Sequence, residues 1–518
     1  MSVPNSDCDM GRGSDFSVVL SGAALVVIGI FLSRGLEFAS RVLLGRYLGP
    51  GGFGVLSTGV AILAIVGSIA MLGVPGGLVR FVGQYGALEQ EDRVPGLICS
   101  AFWFVVLAGG GIGAVSWLFS DWIASVVLAN RQMAVVIRFV GVALPLSGAL
   151  AVLSSAFQAL KDARSYVLLS HVLVPGIRLA GIILAGLLGW TLSGVLGLYV
   201  VAFVASVLIA LPLLKRRSVS LTRFSPSAAA DLAGLVRFSS PLVVSSLFGL
   251  AVWQVDLILL QRLAGAAQAG LYASAGAVGR LLLIGTSAFA FMIAPFMAQQ
   301  YAAKRLQDMQ RLYGRCVGMS FAIGLPFAAA LAVLAPQLVR LLFGGAYGEA
   351  SSLLRILSVG YFGHSIAGPS GETLVMLGRS RLYAVDIVVA ALVAVFLYAV
   401  LIPRYAATGA AIAAVVSLLL LDGVFSVQLF RLSGINPLRW IRGRLLVAAS
   451  VASMLAVLVS RLPLAATSQW LALSAALVAL FTIYAALAFV FRSIQPGEVL
   501  ALRDLLLRRR TTDRENEE

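Results

Sequence analysis

The chain alternates long runs of apolar residues with short polar joints along nearly its whole length. Most runs are about 20 residues long, the length of helix that crosses about 30 Å of hydrocarbon. The shorter segments of alternating apolar and polar residues that are typical of a membrane barrel do not occur. The pattern therefore predicts fourteen transmembrane helices, at residues 16–44, 55–79, 97–119, 134–157, 167–188, 192–214, 241–260, 271–297, 312–335, 352–377, 382–402, 409–430, 445–460 and 470–491.

Composition agrees with this pattern. Of the 518 residues, 60% are hydrophobic and 12% are charged, and the mean hydropathy is +0.99. Water-soluble domains have an apolar share of about 45–50%, so they are excluded. The joints are too short for a separate soluble domain. We expect an all-α polytopic membrane protein.

The basic residues gather in alternate joints, which predicts the orientation in the membrane. If the N-terminus is cytoplasmic, that side receives the run Lys215, Arg216 and Arg217 and the tail run from Arg508 to Arg510, while the other side receives few. Both termini are then cytoplasmic. The net charge of +16 is explained by this asymmetry, so no nucleic-acid partner is needed. The acidic N-terminal flank is unlike that of a cleaved signal peptide, so the first span is expected to stay as an anchor.

A repeat links the two halves of the chain. The segment LLGRYLGPGGFG at 43–54 is echoed by LLQRLAGAAQAG at 259–270, and at the same offset Gln84-Tyr85 falls on Gln300-Tyr301. A further pair, LKDARSY at 160–166 and LGRSRLY at 377–383, has nearly the same offset. Six helices are thus expected to be duplicated in the same orientation. The alternative is that Gly, Arg and Tyr recur at helix ends in any membrane protein. The predicted divisions are an N-terminal segment 1–15, an N-lobe 16–214, a linker 215–240, a C-lobe 241–430, a helix pair 431–492 and a cytoplasmic tail 493–518.

The joint LGRYLGPGGFGVLS followed by LGVPGGLVRFVGQY, together with the duplication and the fourteen spans, resembles a known family. It is similar to the polysaccharide branch of the multidrug/oligosaccharidyl-lipid/polysaccharide (MOP) exporter superfamily, which includes the Wzx-type flippases. The resemblance implies two six-helix lobes around a central cavity and two extra C-terminal helices. It also implies alternating access that moves a polyprenyl-diphosphate-linked oligosaccharide across the cytoplasmic membrane for surface polysaccharide biosynthesis.

Three charged residues on the first span share one helix face. Arg34, Glu37 and Arg41 are spaced i, i+3 and i+7. A charge that faces lipid at the centre of a helix costs about 2.5–3.5 kcal/mol on insertion scales. These side chains are therefore expected to face a cavity or a partner.

Other spans also carry arginines. Arg280 is central in the eighth span and Arg178 is deep in the fifth, whereas Arg138 and Arg355 lie nearer the outer ends of their spans, where snorkelling is possible. In the resembled architecture the first, second, seventh and eighth helices line the cavity. Guanidinium groups bind phosphate oxygens in bidentate fashion. The hypothesis is that Arg34, Arg41 and Arg280 contact the pyrophosphate, with Arg178, Arg138 and Arg355 as further candidates.

The alternative for these charges is structural. Glu37 would neutralise its arginine neighbours, and Asp256 on the seventh span would neutralise Arg280. For ion coupling, Glu37 and Asp256 are the candidates, because a coupled exporter needs a carboxylate that changes state. The remaining acidic residues within spans lie near span ends or on helices that the family places at the periphery, and both histidines are interpreted as packing groups. These residues are Glu372, Asp386, Asp422, His171 and His364.

No motif indicates a cofactor or a metal. The chain has no Walker loop, and Cys8, Cys99 and Cys316 are too scattered for a zinc site or a disulfide framework. The chain is therefore not expected to be an enzyme, since glycosyltransferases and ligases generally need acids or His on a substantial surface loop. Two transporter alternatives stay open: a lipid II flippase and a cation-coupled small-molecule or drug exporter. Expected partners are the lipid-linked oligosaccharide, membrane lipids and, through the tail, a polymerase or glycosyltransferases of the pathway.

Overall fold

A computed structural model describes the backbone of residues 10–222, 228–284, 297, 300–301, 303, 305–367, 369–460 and 469–491. These residues form helices joined by short turns, with no strand among them. The helices are α1 Met10–Met71, α2 Val74–Ala87, α3 Val94–Leu118, α4 Met133–Ala159, α5 Ala163–Leu188, α6 Leu192–Lys215, α7 Ala228–Ala264, α8 Ala266–Gly279, α9 Leu306–Val333, α10 Ala335–Phe343, α11 Ala350–Ala367, α12 Pro369–Met376, α13 Ser380–Ser433, α14 Gly443–Ser460 and α15 Gln469–Val490. Short helical turns lie at Glu91–Arg93, Ser120–Trp122, Ile123–Val127, Gly345–Tyr347 and Pro437–Trp440.

The predicted all-α polytopic membrane fold is confirmed. Within the described part of the chain, ten helices are long and apolar enough to cross a membrane. Two of them are divided by a residue with non-helical backbone: α1 at Gly49 and α13 at Ala406. Pro50 directly follows the first break, and Pro403 lies three residues before the second. A proline removes a helical hydrogen bond, which favours a break nearby. Helix α13 therefore contains two whole predicted spans, and α1 contains one whole span and part of the next.

The predicted eighth span is not a continuous helix. In the eighth, α8 ends at Gly279 and a turn follows, while residues 285–296 of that span lie outside the described residues. The tenth is covered by α11 and α12, which lie on either side of residue 368, a position outside the described residues.

The chain divides into two compact units. The first comprises Met1–Val278, Leu342–Leu353 and Arg381–Leu421, and the second comprises Gly279–Leu341, Leu354–Ser380 and Asp422–Glu518. In the first unit, α3 packs along α4 and α1 packs against α7. In the second unit, α14 packs along α15, and the Tyr484 hydroxyl of α15 donates to the Ala322 carbonyl of α9 at 2.8 Å. The lobe boundaries drawn from the sequence stay a prediction.

The two copies of the repeated joint touch each other inside the first unit. A Cβ atom on Gly54 would overlap the carbonyl oxygen of Ala266, and a Cβ atom on Gly270 would overlap the carbonyl oxygen of Pro50. Each residue of one contact has its equivalent, 216 positions away, in the other. Only glycine permits backbones to approach this closely.

Two arginines repeat the same reciprocal pattern. Arg46 donates from Nε to the Leu342 carbonyl at 2.7 Å, and Arg262 donates from Nη1 to the Val126 carbonyl at 2.9 Å. Both arginines and both carbonyls are again 216 positions apart. Such reciprocity is produced by a two-fold axis that relates two copies. We call Arg46, Gly54, Arg262 and Gly270 the matched joint.

Candidate functional site

The predicted charged face of α1 is present. Arg34 forms an ion pair with Glu37 at 3.5 Å, although 63% of the arginine side chain remains exposed. His171 packs against the same helix, with its Cβ 3.4 Å from the position that a Cβ on Gly29 would occupy. It is close enough to Arg34 and Glu37 to interact with both electrostatically. The structure thus groups Arg34 and Glu37 with a histidine that was interpreted from the sequence as a packing group, and most of the Arg34 side chain is exposed.

Arg178 is placed by α5 and packs on an aromatic ring. Its guanidinium carbon lies 4.2 Å from the centre of the Tyr199 ring, and Tyr199 is buried on α6. A cation over an aromatic face is stabilised by about 0.5–2 kcal/mol. This contact offers Arg178 a structural partner within the bundle of α5 and α6.

Arg138 and Arg355 each have a contact near the predicted outer ends of their spans. Arg138 forms an ion pair with Asp121 at 2.7 Å and also donates from Nε to Ser120 Oγ at 3.0 Å. Arg355 donates from Nε to the Ala332 carbonyl at 3.1 Å. These contacts favour the structural interpretation of both arginines over substrate binding.

Asp256 is buried on α7 with its carboxylate hydrogen-bonded. The Tyr272 hydroxyl donates to Oδ2 at 2.7 Å, and the Leu257 amide donates to Oδ1 at 2.8 Å. Only 3% of Asp256 is exposed. A buried carboxylate in an apolar bundle is costly unless such donors surround it. Its use as a coupling group, proposed from the sequence, requires that these donors be exchanged for a proton or a cation.

Arg280 lies at the break in the eighth span. The helix ends at Gly279, and the amide of Leu283 donates to the Arg280 carbonyl at 3.0 Å in the turn that follows. The Nε of Arg280 approaches the Tyr361 hydroxyl of α11 at 3.5 Å, and a Cβ on Gly279 would meet the same ring at 2.9 Å. Broken helices within a membrane expose polar backbone groups and are common at transporter binding sites.

The second unit contains a buried polar cluster whose members were interpreted from the sequence as packing or peripheral groups. The carboxylate of Asp422 on α13 lies 2.9 and 3.0 Å from Nδ1 of His364 on α11. Asp422 is 2% exposed. Close by, the Tyr313 and Ser370 hydroxyls are 2.7 Å apart. The sequence carried one usable signal, a carboxylate and an imidazole inside apolar spans, but the 58 residues between them concealed their pairing.

A recess of about 520 Å³ lies in the second unit at one end of α9. Its lining is polar, and Gln310 in it donates to the Ser433 carbonyl at 2.8 Å. The lining residues are Gln307, Gln310, Arg311, Arg439 and Trp440. None of the predicted site residues lines this recess. Over the part of the chain that the structure describes, no three His, Cys, Asp or Glu side chains are grouped as metal ligands.

Comparison with known proteins gives family matches that cover much of the chain. A family model described as polysaccharide biosynthesis protein matches residues 19–300, more than half of the chain. A second model, MatE, matches residues 241–401. The capsular polysaccharide biosynthesis protein CapF of Staphylococcus aureus is 25% identical over 181 residues, which are 34% of this chain and 45% of that protein. The match thus spans less than half the length of this relative.

Solved structures of transporters share the fold. The lipid II flippase MurJ in an inward closed conformation has a TM-score of 0.69 at 13% identity, over 90% of this chain and 98% of its own. An inward-facing multidrug resistance MATE family transporter of the MOP superfamily has a TM-score of 0.68 at 17% identity, over 80% of this chain and 98% of its own. At such low identity the likeness is one of fold.

Proposed function

Because the chain belongs to the polysaccharide biosynthesis protein family, we propose that it moves a polyprenyl-diphosphate-linked oligosaccharide across the cytoplasmic membrane. The cargo serves surface polysaccharide biosynthesis, and the site opens alternately to the two sides of the membrane. The capsular biosynthesis protein among its relatives supports this pathway. No covalent bond is made or broken, so the protein acts as a transporter and not as an enzyme.

The observation that carries the proposal is the position of Arg280. A guanidinium group at a break within an apolar helix is costly unless it meets an anion or a polar partner. A sugar diphosphate brings about two negative charges, and its oxygens accept the two parallel hydrogen bonds of a guanidinium fork. Arg34, with most of its side chain accessible, and Arg41 are the other proposed contacts of the diphosphate.

The proposed cycle separates the two parts of the cargo. The polyprenyl tail remains in the bilayer, while the charged head and its sugars cross through a wet interior. An ion gradient drives the cycle, with Glu37 and Asp256 as the coupling candidates predicted from the sequence. Both termini lie in the cytoplasm, where the basic joints and the tail face the anionic leaflet and the transferases or polymerase of the pathway.

A second candidate function is transport of lipid II. The solved lipid II flippase aligns with 90% of this chain, whereas the multidrug transporter aligns with 80%. A lipid II head also carries a diphosphate on a polyprenyl tail, so the same arginines serve it. Export of a small cationic molecule is the weaker alternative, because cationic side chains repel such a cargo.

The experiment is a translocation assay with the full chain in proteoliposomes. Fluorescent polyprenyl-diphosphate oligosaccharide, fluorescent lipid II and a cationic dye are compared under one imposed ion gradient. We expect the oligosaccharide lipid to cross fastest and Arg34→Ala and Arg280→Ala to reduce its rate about 10-fold or more, the effect of losing a charged hydrogen bond. Arg404→Ala, which removes an exposed arginine outside the proposed site, is the matched control.

Other results of this assay would contradict the proposed cargo or the proposed site. Faster movement of lipid II supports the second candidate and contradicts polysaccharide export. Efflux of the dye alone contradicts both lipid cargoes. If Arg280→Ala is folded and fully active, the diphosphate site does not include Arg280.

A further inference from the structure

The buried pair of His364 and Asp422 has the properties of a proton-binding site. The imidazole Nδ1 lies within 3.0 Å of both carboxylate oxygens, and the carboxylate is almost fully enclosed. His is the side chain that gains and loses a proton near neutral pH, and an adjacent carboxylate stabilises its charged form. Between them, the two groups hold one exchangeable proton in a region where an unpaired charge is costly.

The surroundings supply further groups that respond to this proton. Glu372, on α12, is close enough to both members of the pair to interact electrostatically. Tyr313, on α9, faces Glu372 and Asp422 and hydrogen-bonds Ser370, which lies 3.3 Å from the Ser426 hydroxyl. Two titratable groups on neighbouring helices therefore face the pair, Tyr313 and Glu372. The nearby charged group Arg280 contacts Tyr361, which lies one helical turn before His364 on α11.

The pair has no counterpart in the first half of the chain. At the offset of the repeat, His364 aligns with Ser147 or Gly148, and Asp422 aligns with Ala205 or Ser206. Neither alternative contains an ionisable group. The first copy of the repeat therefore folds with small residues at these positions, so packing alone does not require a histidine and an aspartate in the second copy.

Helix α11 connects the pair to the proposed diphosphate site. Tyr361 approaches Arg280, and His364, three residues later on the same helix, contacts Asp422. Residues three apart lie on one helix face. A shift of α11 that loosens one contact therefore changes the other, and both contacts lie within the second unit.

We propose that His364, Asp422 and Glu372, instead of the sequence candidates Glu37 and Asp256, form the coupling site. This site takes up and releases one proton per transport cycle, and α11 links it to the anion at Arg280. A proton suits the site better than sodium, because hard cations prefer shells of oxygen ligands and an imidazole nitrogen is a poor substitute. The link to Arg280 rests on the proposed function, whereas the proton site itself does not.

The first test observes the histidine ring directly. The chain has two histidines, so in the His171→Gln protein with isotope-labelled histidine every ring resonance belongs to His364. We expect this resonance, in full-length protein in lipid nanodiscs, to titrate between about pH 5 and about pH 9. Asp422→Asn should displace the midpoint by about one pH unit or more. A resonance that does not change with pH, or that titrates identically in Asp422→Asn, overturns the proton site.

A second measurement on the same sample tests the link. A short-chain prenyl diphosphate should displace the His364 midpoint in protein with Arg280 and leave it unmoved in Arg280→Ala, because binding and protonation are linked reciprocally. A midpoint that ignores the diphosphate, or that moves equally in Arg280→Ala, overturns the link through α11.

The transport test separates this inference from the proposed cargo. For one proton per cycle, a gradient of one pH unit shifts the leaflet distribution of the cargo about 10-fold at equilibrium. His364→Gln should abolish this shift, while Arg404→Ala, an exposed arginine outside the proposed sites, should retain it. A shift that persists in His364→Gln overturns the coupling role. If His364 titrates but no lipid-linked oligosaccharide crosses, the proposed cargo fails and the proton site stands.

Discussion

The matched joint and the intramembrane charges differ in how they relate to the repeat. At the joint, Arg46 and Arg262 occupy equivalent positions and make equivalent hydrogen bonds to backbone carbonyls. Within the spans, two of the arginines proposed to bind cargo are solitary: at the same offset Arg280 aligns with Ala64, and Arg34 aligns with Leu250. The repeat therefore distinguishes arginines whose contacts occur in both copies from arginines that occur in one copy only.

This difference has a physical basis. A contact that stabilises packing is as useful in the second copy as in the first, so both copies keep it. A charge within the hydrocarbon region costs free energy wherever it stands, and a structural need would arise in both copies. Charges present in one copy only are thus the better candidates for binding cargo or ions.

The largest effect is expected at the glycines of the joint. In Gly54→Ala the new Cβ overlaps a backbone carbonyl that no side-chain rotation can move. We expect a loss of about 3 kcal/mol of stability, at the upper end of overpacking effects, measured as a lower unfolding temperature in detergent. Gly51→Ala, where nothing lies within 4 Å of the new Cβ, should leave stability unchanged or slightly higher. Equal effects of the two variants would contradict the close approach.

Arg280 should show the opposite profile, with lost transport and retained stability. Arg280→Ala removes a charged donor worth about 1.5–3 kcal/mol to a bound anion, so we expect transport of the lipid-linked cargo to fall about 10-fold or more. Arg280→Lys should recover only part of it, because an ammonium lacks the guanidinium fork. An unfolding temperature that drops as far as in Gly54→Ala would make Arg280 a structural residue.

The two matched arginines should lose the same stability when replaced. Arg46→Ala and Arg262→Ala each remove a charged hydrogen bond to a carbonyl, and we expect about 1.5 kcal/mol for each. Unfolding in denaturant, with cargo binding measured in parallel, checks this. If one variant weakens cargo binding and the other does not, the pair is not equivalent in function and the comparison fails.

The smallest effect on stability is expected at a helix start where the two copies of the repeat have different side chains. In LKDARSY, Asp162 caps α5, and its counterpart in LGRSRLY is Arg379. Burial alone raises the pKa of Asp162, but hydrogen bonds from Ser165 and Arg217 outweigh it and hold the pKa below its usual range. This stabilisation is therefore present above about pH 4, the pKa of an unfolded aspartate, and is lost as pH falls through the lower folded pKa.

Asp162→Asn keeps an amide oxygen for the cap but removes the charge that Arg217 contacts at 2.8 Å. We expect it to cost at most about 1 kcal/mol at pH 7, because Arg217 is half exposed, and nothing at low pH. Unfolding curves at several pH values measure this difference. A cost that is constant with pH would contradict the ion pair.

Local pattern was sufficient to predict most of the fold. Apolar blocks predicted the helices, and the repeated Leu-Leu-x-Arg segments predicted a duplication with which the reciprocal contacts of Gly54 and Gly270 agree. The resemblance to the polysaccharide branch of the MOP superfamily, drawn from the first joint, is confirmed by the family match over residues 19–300.

The candidate site was harder to predict because it depends on which helices touch. Arg138 and Asp121 end successive spans on the same side, so their ion pair could have been anticipated. The pairing of His364 with Asp422, and the break of the helix at Arg280, depend on packing between distant segments. Hydrophobic periodicity contains no information about such contacts.

The reciprocity of the matched joint has a consequence for how function arose. A contact in which two equivalent surfaces bind each other is isologous, the kind that joins the subunits of a symmetric homodimer. In a homodimer every substitution appears twice, so an arginine placed in the interior would bring a second, repelling arginine with it. When both copies share one chain, a position can change alone. Covalent fusion is what allows a pseudo-symmetric bundle to hold a single Arg280 and a single His364–Asp422 pair.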